Sequence, residues 1–343
     1  MKRLLFVMLL LLLAVSAYAK KETVYVYNWS EYIPEKVLTD FEKETGIKVI
    51  YTTYDSNEVM YSKIKVLGGK GYDVIFPSTY FVNRMRKEGL LMPLNMKLLP
   101  NMKNMDPALM DKPYDPKNQF SVPYLWGSTS LTINTDYVDE SKANTYRILW
   151  DKKYKGKVLL TDDMREVFHI ALRILGYSGN ETDPAKIKQA YELLRKLRPN
   201  VRVYNSDSPK IPYINGEVVI GLSWNGETFM ANQENPKIKY IYPKEGAIFW
   251  VDSMCIPKGS KNAAAAHKFI NYIMKPEVAK MISEEIGYAS PNKAAVKLLA
   301  PEVRNNKTIY PPLSLIKQGE FQLDVGNAIS TYEKYWELLK AGK

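Results

Sequence analysis

The chain has 343 residues, a formal net charge of +11, two histidines and one cysteine. One cysteine excludes an intramolecular disulfide, and His169 and His267, outside any HxH or HExxH context, argue against a zinc centre and against Ser-His-Asp chemistry. The basic excess is spread along the chain with no run of five or more Lys or Arg and no zinc-finger, RNP or GXXG pattern, so nucleic acid is not an expected partner.

The opening MKRLLFVMLLLLLAVSAYAKK has a basic start, an apolar run from Leu4 to Val15 and small residues at Ala17 and Ala19. This pattern predicts a secretory signal over 1–19, cut after Ala19, since the run is shorter than the ~20 residues of a membrane-spanning helix. No cysteine stands near the cut to carry a lipid, and no second stretch of comparable hydrophobicity follows. The mature chain is therefore expected to be soluble and extracytoplasmic, long enough for two domains.

After the leader, TVYVYNW (23–29) reads as a strand, and PEKVLTDFEKETG (34–46) as an amphipathic helix started by Pro34 and stopped by Gly46. A strand IKVIYTTY, a helix around NEVMYSKIKVL and a strand DVIFPS (73–78) follow, which predicts βαβαβ and a parallel sheet. Ligands of open α/β sheets bind beyond the carboxyl ends of the strands, where YNWSEY and PSTY fall. The segment 113–135 changes register, with LTINT alternating after Gly127, and suggests a crossing into a second domain.

In that second region KGKVLLTDD (155–163) predicts a strand that runs into the helix REVFHIALRILG. Asp183 and Pro184 open a further helix to residue 200, and EVVIGLSWNG (217–226) is a strand with Trp224 near its end. The segment IKYIYPKEGAIFWVDSMCIP then returns towards the first domain, and 261–287 reads as a helical hairpin broken at Pro276. Cys255, in VDSMCIP, is expected to be a buried thiol.

Several residues on this frame could carry chemistry. Asp162 or Asp163 enters the helix after TDD, and Asp163 and Glu166 share a face. Acids in a first turn ordinarily cap the helix and meet its dipole, yet this turn lies beyond a strand end and would present fixed negative charge to a cation. Trp29, Trp224 and Trp250 also lie at or near strand ends; tryptophan commonly fills a core, but such a set could hold a flat or extended ligand and attract its charged ends. In IFWVDS, Trp250 and Asp252 fall on the same side of a strand. Tyr32, Ser78, Tyr80 and Tyr288 are further hydroxyl donors, with Tyr288 in a turn between Gly287 and Pro291. GxGxxG and GxxxxGK[ST] are absent, and GGKG (68–71) reads as a loop. Carboxylate pairs could be imagined as a glycosidase acid and nucleophile, but nothing in the sequence sets their separation.

The segments YNWSEYIP, KETGIKVIY, YDVIFPSTYFV, MRKEGL, LLTDDMREVF, LGYSGN, YPKEGAIFWVDS, EIGYASPN and KLLAPEV resemble, in order and from about Tyr25 to the end, the spermidine/putrescine receptors of bacterial polyamine ABC importers. The spermidine-preferring branch is the nearer match around TDDMRE and the Tyr288 turn. The resemblance implies the periplasmic solute-binding fold: two α/β lobes joined by crossing segments around a cleft, with 20–119 plus 250–296 as the N-terminal lobe and 120–249 plus 297–343 as the C-terminal lobe. It implies a monomeric periplasmic receptor rather than an enzyme, with no cofactor or metal, delivering spermidine, and putrescine more weakly, to membrane permease subunits. The ligand contacts it implies are Trp29, Ser30, Tyr32, Ser78, Tyr80, Asp163, Glu166, Trp224, Trp250, Asp252, Tyr288 and Gln322. Gln322, in GEFQLDVG, has no local signal of its own, and Ser30 stands where a spermidine-preferring relative has threonine. The alternative in the same architecture is a receptor for another small cationic or polar solute. Three acids balance the three ammonium groups of spermidine, and its methylenes between aromatic faces would each contribute ~0.8 kcal/mol.

Overall fold

The structure, a computed structural model, describes residues 22–342, so the leader-like segment lies outside the described residues. Its first elements are β1 (Thr23–Trp29), α1 (Glu35–Thr45), β2 (Lys48–Tyr54), α2 (Asn57–Val66) and β3 (Val74–Ile75), with β1 between β2 and β3 and parallel to both. In α1 the apolar positions Val37 and Phe41 are one turn apart and buried, and Gly46 ends the helix in the left-handed conformation at φ 72°. Phe41 packs its ring 5.2 Å from Phe269, so Phe41→Ala would cost roughly 3–5 kcal/mol.

The expected third strand, 73–78, is shorter than its apolar run suggests. Pro77 has no N–H to give to a ladder, and the Ser78 N–H is taken by the Asn57 side chain at 3.1 Å. The segment bends there into α3 (Thr79–Lys87), a helix that the alternation before it did not announce. It still meets the sheet through a single bridge between Ser78 and Asp252.

The register change near Gly127 corresponds to β4 (Ser121–Asn134), which is much longer than LTINT. Its first part runs antiparallel to β9 (Ile248–Cys255), and its second part to β7 (Ile220–Trp224) and β8 (Ile238–Ile241). Beyond β7 come β5 (Val158–Leu160) and β6 (Val201–Tyr204), both parallel neighbours, while β10 (Glu320–Phe321) lies beside β9. The main path through the sheet is β2-β1-β3-β9-β4-β7-β5-β6.

Two large cores lie along this path. β4 gives Val122 and Leu125 to the first, with Val24, Phe76 and Phe269, and Leu131 and Ile133 to the second, with Phe168, Leu194 and Tyr332. Around the second core are α4 (Met164–Ile174) and α5 (Pro184–Leu197), while α6 (Lys210–Ile214) and α7 (Asn225–Glu234) give Tyr213 and Ala231 to a smaller cluster with Leu159 and Ile238. The expected hairpin is α8 (Ala263–Ile273) and α9 (Pro276–Ile286), with Pro276 at the first turn of α9, and α10 (Ile329–Lys340) closes the chain. Among the described residues no helix is long and apolar enough to cross a membrane, and no His, Cys, Asp and Glu group could hold a metal ion. Cys255 is fully buried.

Candidate functional site

The turns that follow β1, β3, β5 and β7 converge with the crossing strand β9 on one cleft, whose cavity is about 40 Å³. Trp29, Ser30, Tyr32, Ser78, Asp163, Glu166, Trp224, Trp250, Asp252, Tyr288 and Gln322 all line it. Tyr80 does not; its hydroxyl lies 3.4 Å from Asn57 Nδ2 and its ring is beside Arg165, one layer behind the wall. Glu31, Asn57 and Glu227 line the cleft too and were not singled out from the sequence.

Asp252 sits on β9 where the strand passes the bend after β3. Its two oxygens accept from Ser78 Oγ at 2.6 Å and from Tyr32 Oη at 2.8 Å. Ser78 is in turn held by Asn57 Nδ2 at 3.0 Å, and the Tyr32 backbone carbonyl accepts from Tyr124 Oη. Burial pushes the Asp252 carboxyl up to about 7, partly offset by these two hydroxyls. The donors orient the carboxylate without neutralising it.

On the opposite wall, Asp163 caps α4 by accepting the Glu166 N–H at 3.0 Å. It is this acid, not Asp162, that takes the capping position; Asp162 is bound outside by Lys340 at 2.7 Å. Glu166 accepts from Thr129 Oγ1 and from Trp224 Nε1 at 3.0 Å, while Trp250 Nε1 donates to the same Thr129 oxygen at 3.2 Å. One indole and one hydroxyl thus fix the carboxylate, and the second indole fixes the hydroxyl. Burial raises both acids, and Asp163 raises Glu166 further by charge repulsion.

Aromatic rings fill the space between these acids. Trp29 and Trp224 face each other across the cleft at 6.2 Å, Trp250 and Tyr288 at 5.4 Å, and Tyr32 and Tyr288 at 5.3 Å, each edge to face. Trp250 can lie so close to β4 because its neighbour is Gly127, where a Cβ would come within 2.7 Å of the indole and 2.4 Å of Asn225 Oδ1. Trp29 is held by its own Nε1, which donates to the Phe76 carbonyl at 2.9 Å. Gln322 arrives from the far end of the chain: its N–H bonds the Phe249 carbonyl and its carbonyl accepts from Thr79 Oγ1. Its Nε2 is buried and has no hydrogen-bond partner, a donor left for something in the cleft.

Residues 36–311 match the family described as bacterial extracellular solute-binding protein. The chain belongs to this family. The spermidine/putrescine-binding periplasmic protein of Escherichia coli (strain K12) is 53% identical over 321 residues, covering 94% of this chain and 92% of that protein. Spermidine/putrescine-binding periplasmic protein 1 of Haemophilus influenzae is 45% identical over 326 residues, 95% of this chain and 91% of its own. Among solved structures, a putative spermidine/putrescine ABC transporter from Listeria monocytogenes superposes with a TM-score of 0.90 at 38% identity, covering 94% of this chain and all of that one. A solute-binding protein needs a cleft between lobes and no reacting group, which agrees with the receptor expected from the sequence.

Proposed function

We propose that this solute-binding protein is an extracytoplasmic receptor for polyamines, binding spermidine in preference to putrescine and delivering it to the membrane permease subunits of an ABC importer. The observation that carries the reading is the state of Asp163, Glu166 and Asp252. All three are buried in one aromatic cleft, and every partner that bonds them is neutral: hydroxyls, an indole N–H and a backbone N–H. Three buried acids to which no cation is bonded are costly to ionise, and a flexible trication with methylene spacers removes that cost while its chain lies against the rings. A neutral sugar would use the aromatics but leave the carboxylates uncompensated. The names of the relatives reported above support the same ligand class.

Delivery follows from the way the site is divided. Trp29 packs on the first core, whereas Glu166 lies on α4, whose apolar face belongs to the second, so one ligand bridging them favours the closed form a transporter can recognise. We assign export to residues 1–19, removed after Ala19, which places the working receptor in the periplasm. The test is titration calorimetry on mature protein that has been unfolded, stripped of ligand and refolded. Micromolar or tighter spermidine binding, weaker putrescine binding and no heat from maltose are expected. A folded protein that binds no polyamine overturns the assignment.

A further inference from the structure

Four hydroxyl side chains stand close together on β4, at Ser128, Thr129, Ser130 and Thr132, and all four are buried. A buried hydroxyl needs a hydrogen-bond partner, so each can be traced. Ser128 meets the Tyr240 hydroxyl at 2.8 Å, Ser130 donates to the Ile241 carbonyl at 2.8 Å, and Thr132 pairs with the Thr228 hydroxyl at 2.6 Å. Those three tie β4 to β8 and α7. Thr129 differs, because both its partners belong to the cleft: it donates to Glu166 Oε1 and accepts from Trp250 Nε1 at 3.2 Å. It is fully buried and does not itself line the cleft. Its backbone is opposite Trp224 of β7 on one side and Ile248 of β9 on the other, so Thr129 sits between the strands that carry the two tryptophans. The elements of Thr129, Glu166 and Trp224 share the second core through Leu131, Val167 and Leu222, which keeps this cluster together when the cleft opens.

We propose that Thr129 is a positioning residue of the receptor: its hydroxyl, oriented by the Trp250 indole, turns its one proton to Glu166 and holds that acid as the anion that meets an ammonium of the ligand. The inference rests on the polyamine reading above and adds a residue that lies behind the ligand contacts. The chemistry of the donors decides the direction. An indole N–H only donates, so the Thr129 oxygen must accept from Trp250, and its own proton is left for Glu166. Trp224 Nε1 is a second donor, at 3.0 Å to the same Glu166 oxygen. Donors to a carboxylate favour its charged form, and here they oppose burial and the repulsion of Asp163, which push the other way. The phenols whose charge would bear on Glu166 are Tyr80 on α3, Tyr146 ahead of β5, Tyr240 on β8 and Tyr288 after α9, and burial keeps each of them neutral. Glu31, Glu227 and Asp252 line the same cleft, while Arg165, the preceding residue on α4, is turned away to the Leu323 carbonyl and the Asn180 side chain.

The experiment is a pH titration of ligand-stripped wild type, Thr129→Val, Thr129→Ser and Thr129→Ala, each checked for folding by circular dichroism. In the ligand-free proteins the Trp224 indole N–H, assigned by its loss in Trp224→Phe, is followed by NMR, because it bonds Glu166 directly and its shift reports that carboxyl. Thr129→Val should move the midpoint up by about one pH unit, the order expected when a carboxylate loses one donor, and Thr129→Ser should return it to the wild-type value. Spermidine calorimetry supplies the functional readout. The ratio of wild-type to Thr129→Val affinity should grow at least about threefold from pH 9 to pH 5.5, because an acid that holds its proton more tightly must still lose it to bind. Taking the ratio cancels the titration of the ligand and of the other acids, and a loss of packing alone would lower affinity equally at every pH. Thr129→Ala is measured alongside, because it removes the hydroxyl without setting a methyl against Glu166 should the valine variant not fold. A midpoint unchanged in Thr129→Val or Thr129→Ala, or an affinity ratio flat with pH, overturns the inference and leaves Thr129 a packing residue. A wild type that binds no polyamine overturns the ligand reading, while the midpoints still decide whether Thr129 governs Glu166.

Discussion

Asp252 and Glu227 are both buried carboxylates lining one cleft, and burial raises both to about 7, yet their partners make them opposites. Asp252 is held by two hydroxyls that fix its direction and leave its charge unanswered, whereas Glu227 has a lysine of its own chain. A hydroxyl contributes a dipole and a lysine contributes a full charge. The first kind of support leaves an acid's charge to be answered by a ligand, and the second answers part of it from within the chain. Counting acids in a cleft therefore overstates what a ligand meets unless each is traced to its partner.

The largest expected effect breaks the comparison at its ligand-facing side. Asp252→Asn removes the charge while keeping the shape, and spermidine affinity should fall about a hundredfold, as for other buried charge pairs that lose one member. Calorimetry reads the loss and circular dichroism the retained fold; affinity within threefold of wild type would sink the role given to Asp252. A smaller effect comes from pH. Ligand cations need the ionised carboxylates, so spermidine binding should weaken by up to about tenfold per unit below pH 7 for each acid that must lose its proton. Calorimetry at pH 6.5 in buffers of different ionisation heat should show net proton release. Stability of the ligand-free protein runs the other way: the folded value for Asp252 lies above its unfolded one, so its contribution is present below about pH 4 and lost as pH rises through 7. Spermidine affinity that is flat from pH 8 to 5.5 would contradict the placement of these acids in the site. The smallest effect is at Tyr80. Its position behind the wall predicts that Tyr80→Phe changes spermidine affinity less than about threefold, losing one long contact to Asn57. A loss beyond tenfold would bring that hydroxyl into the cleft when ligand is bound.

Much of this arrangement was legible along the chain. Pro34 and Gly46 marked the ends of α1, Asp183 and Pro184 the start of α5, and Pro276 the break in the hairpin, because these residue types act through their own backbone and neighbours. The placement of Trp29, Trp224 and Asp163 at strand ends also followed from local pattern. Other features were present but not decisive: Tyr332, Tyr335, Trp336 and Leu339 are spaced as one helical face, which α10 packs against α4 and α5. Gln322 was reached by resemblance alone, since a single glutamine just beyond a two-residue strand carries no periodic signal.

What local pattern determined was two α/β units, the strand ends where a ligand belongs, and a set of acids and aromatics beyond them. What only the tertiary structure decided was partnership: that Ser78 and Tyr32 hold Asp252, that Thr129 and Trp224 meet at Glu166 with Trp250 bonded to that threonine, and that Lys210 stands between Glu31 and Glu227. Helix ends and strand periods depend on residues a few positions apart, whereas the charge state and availability of a buried acid depend on whatever the fold sets beside it. Lys210 and Glu31 are separated by 179 positions, and neither stretch of sequence contains the other's reason.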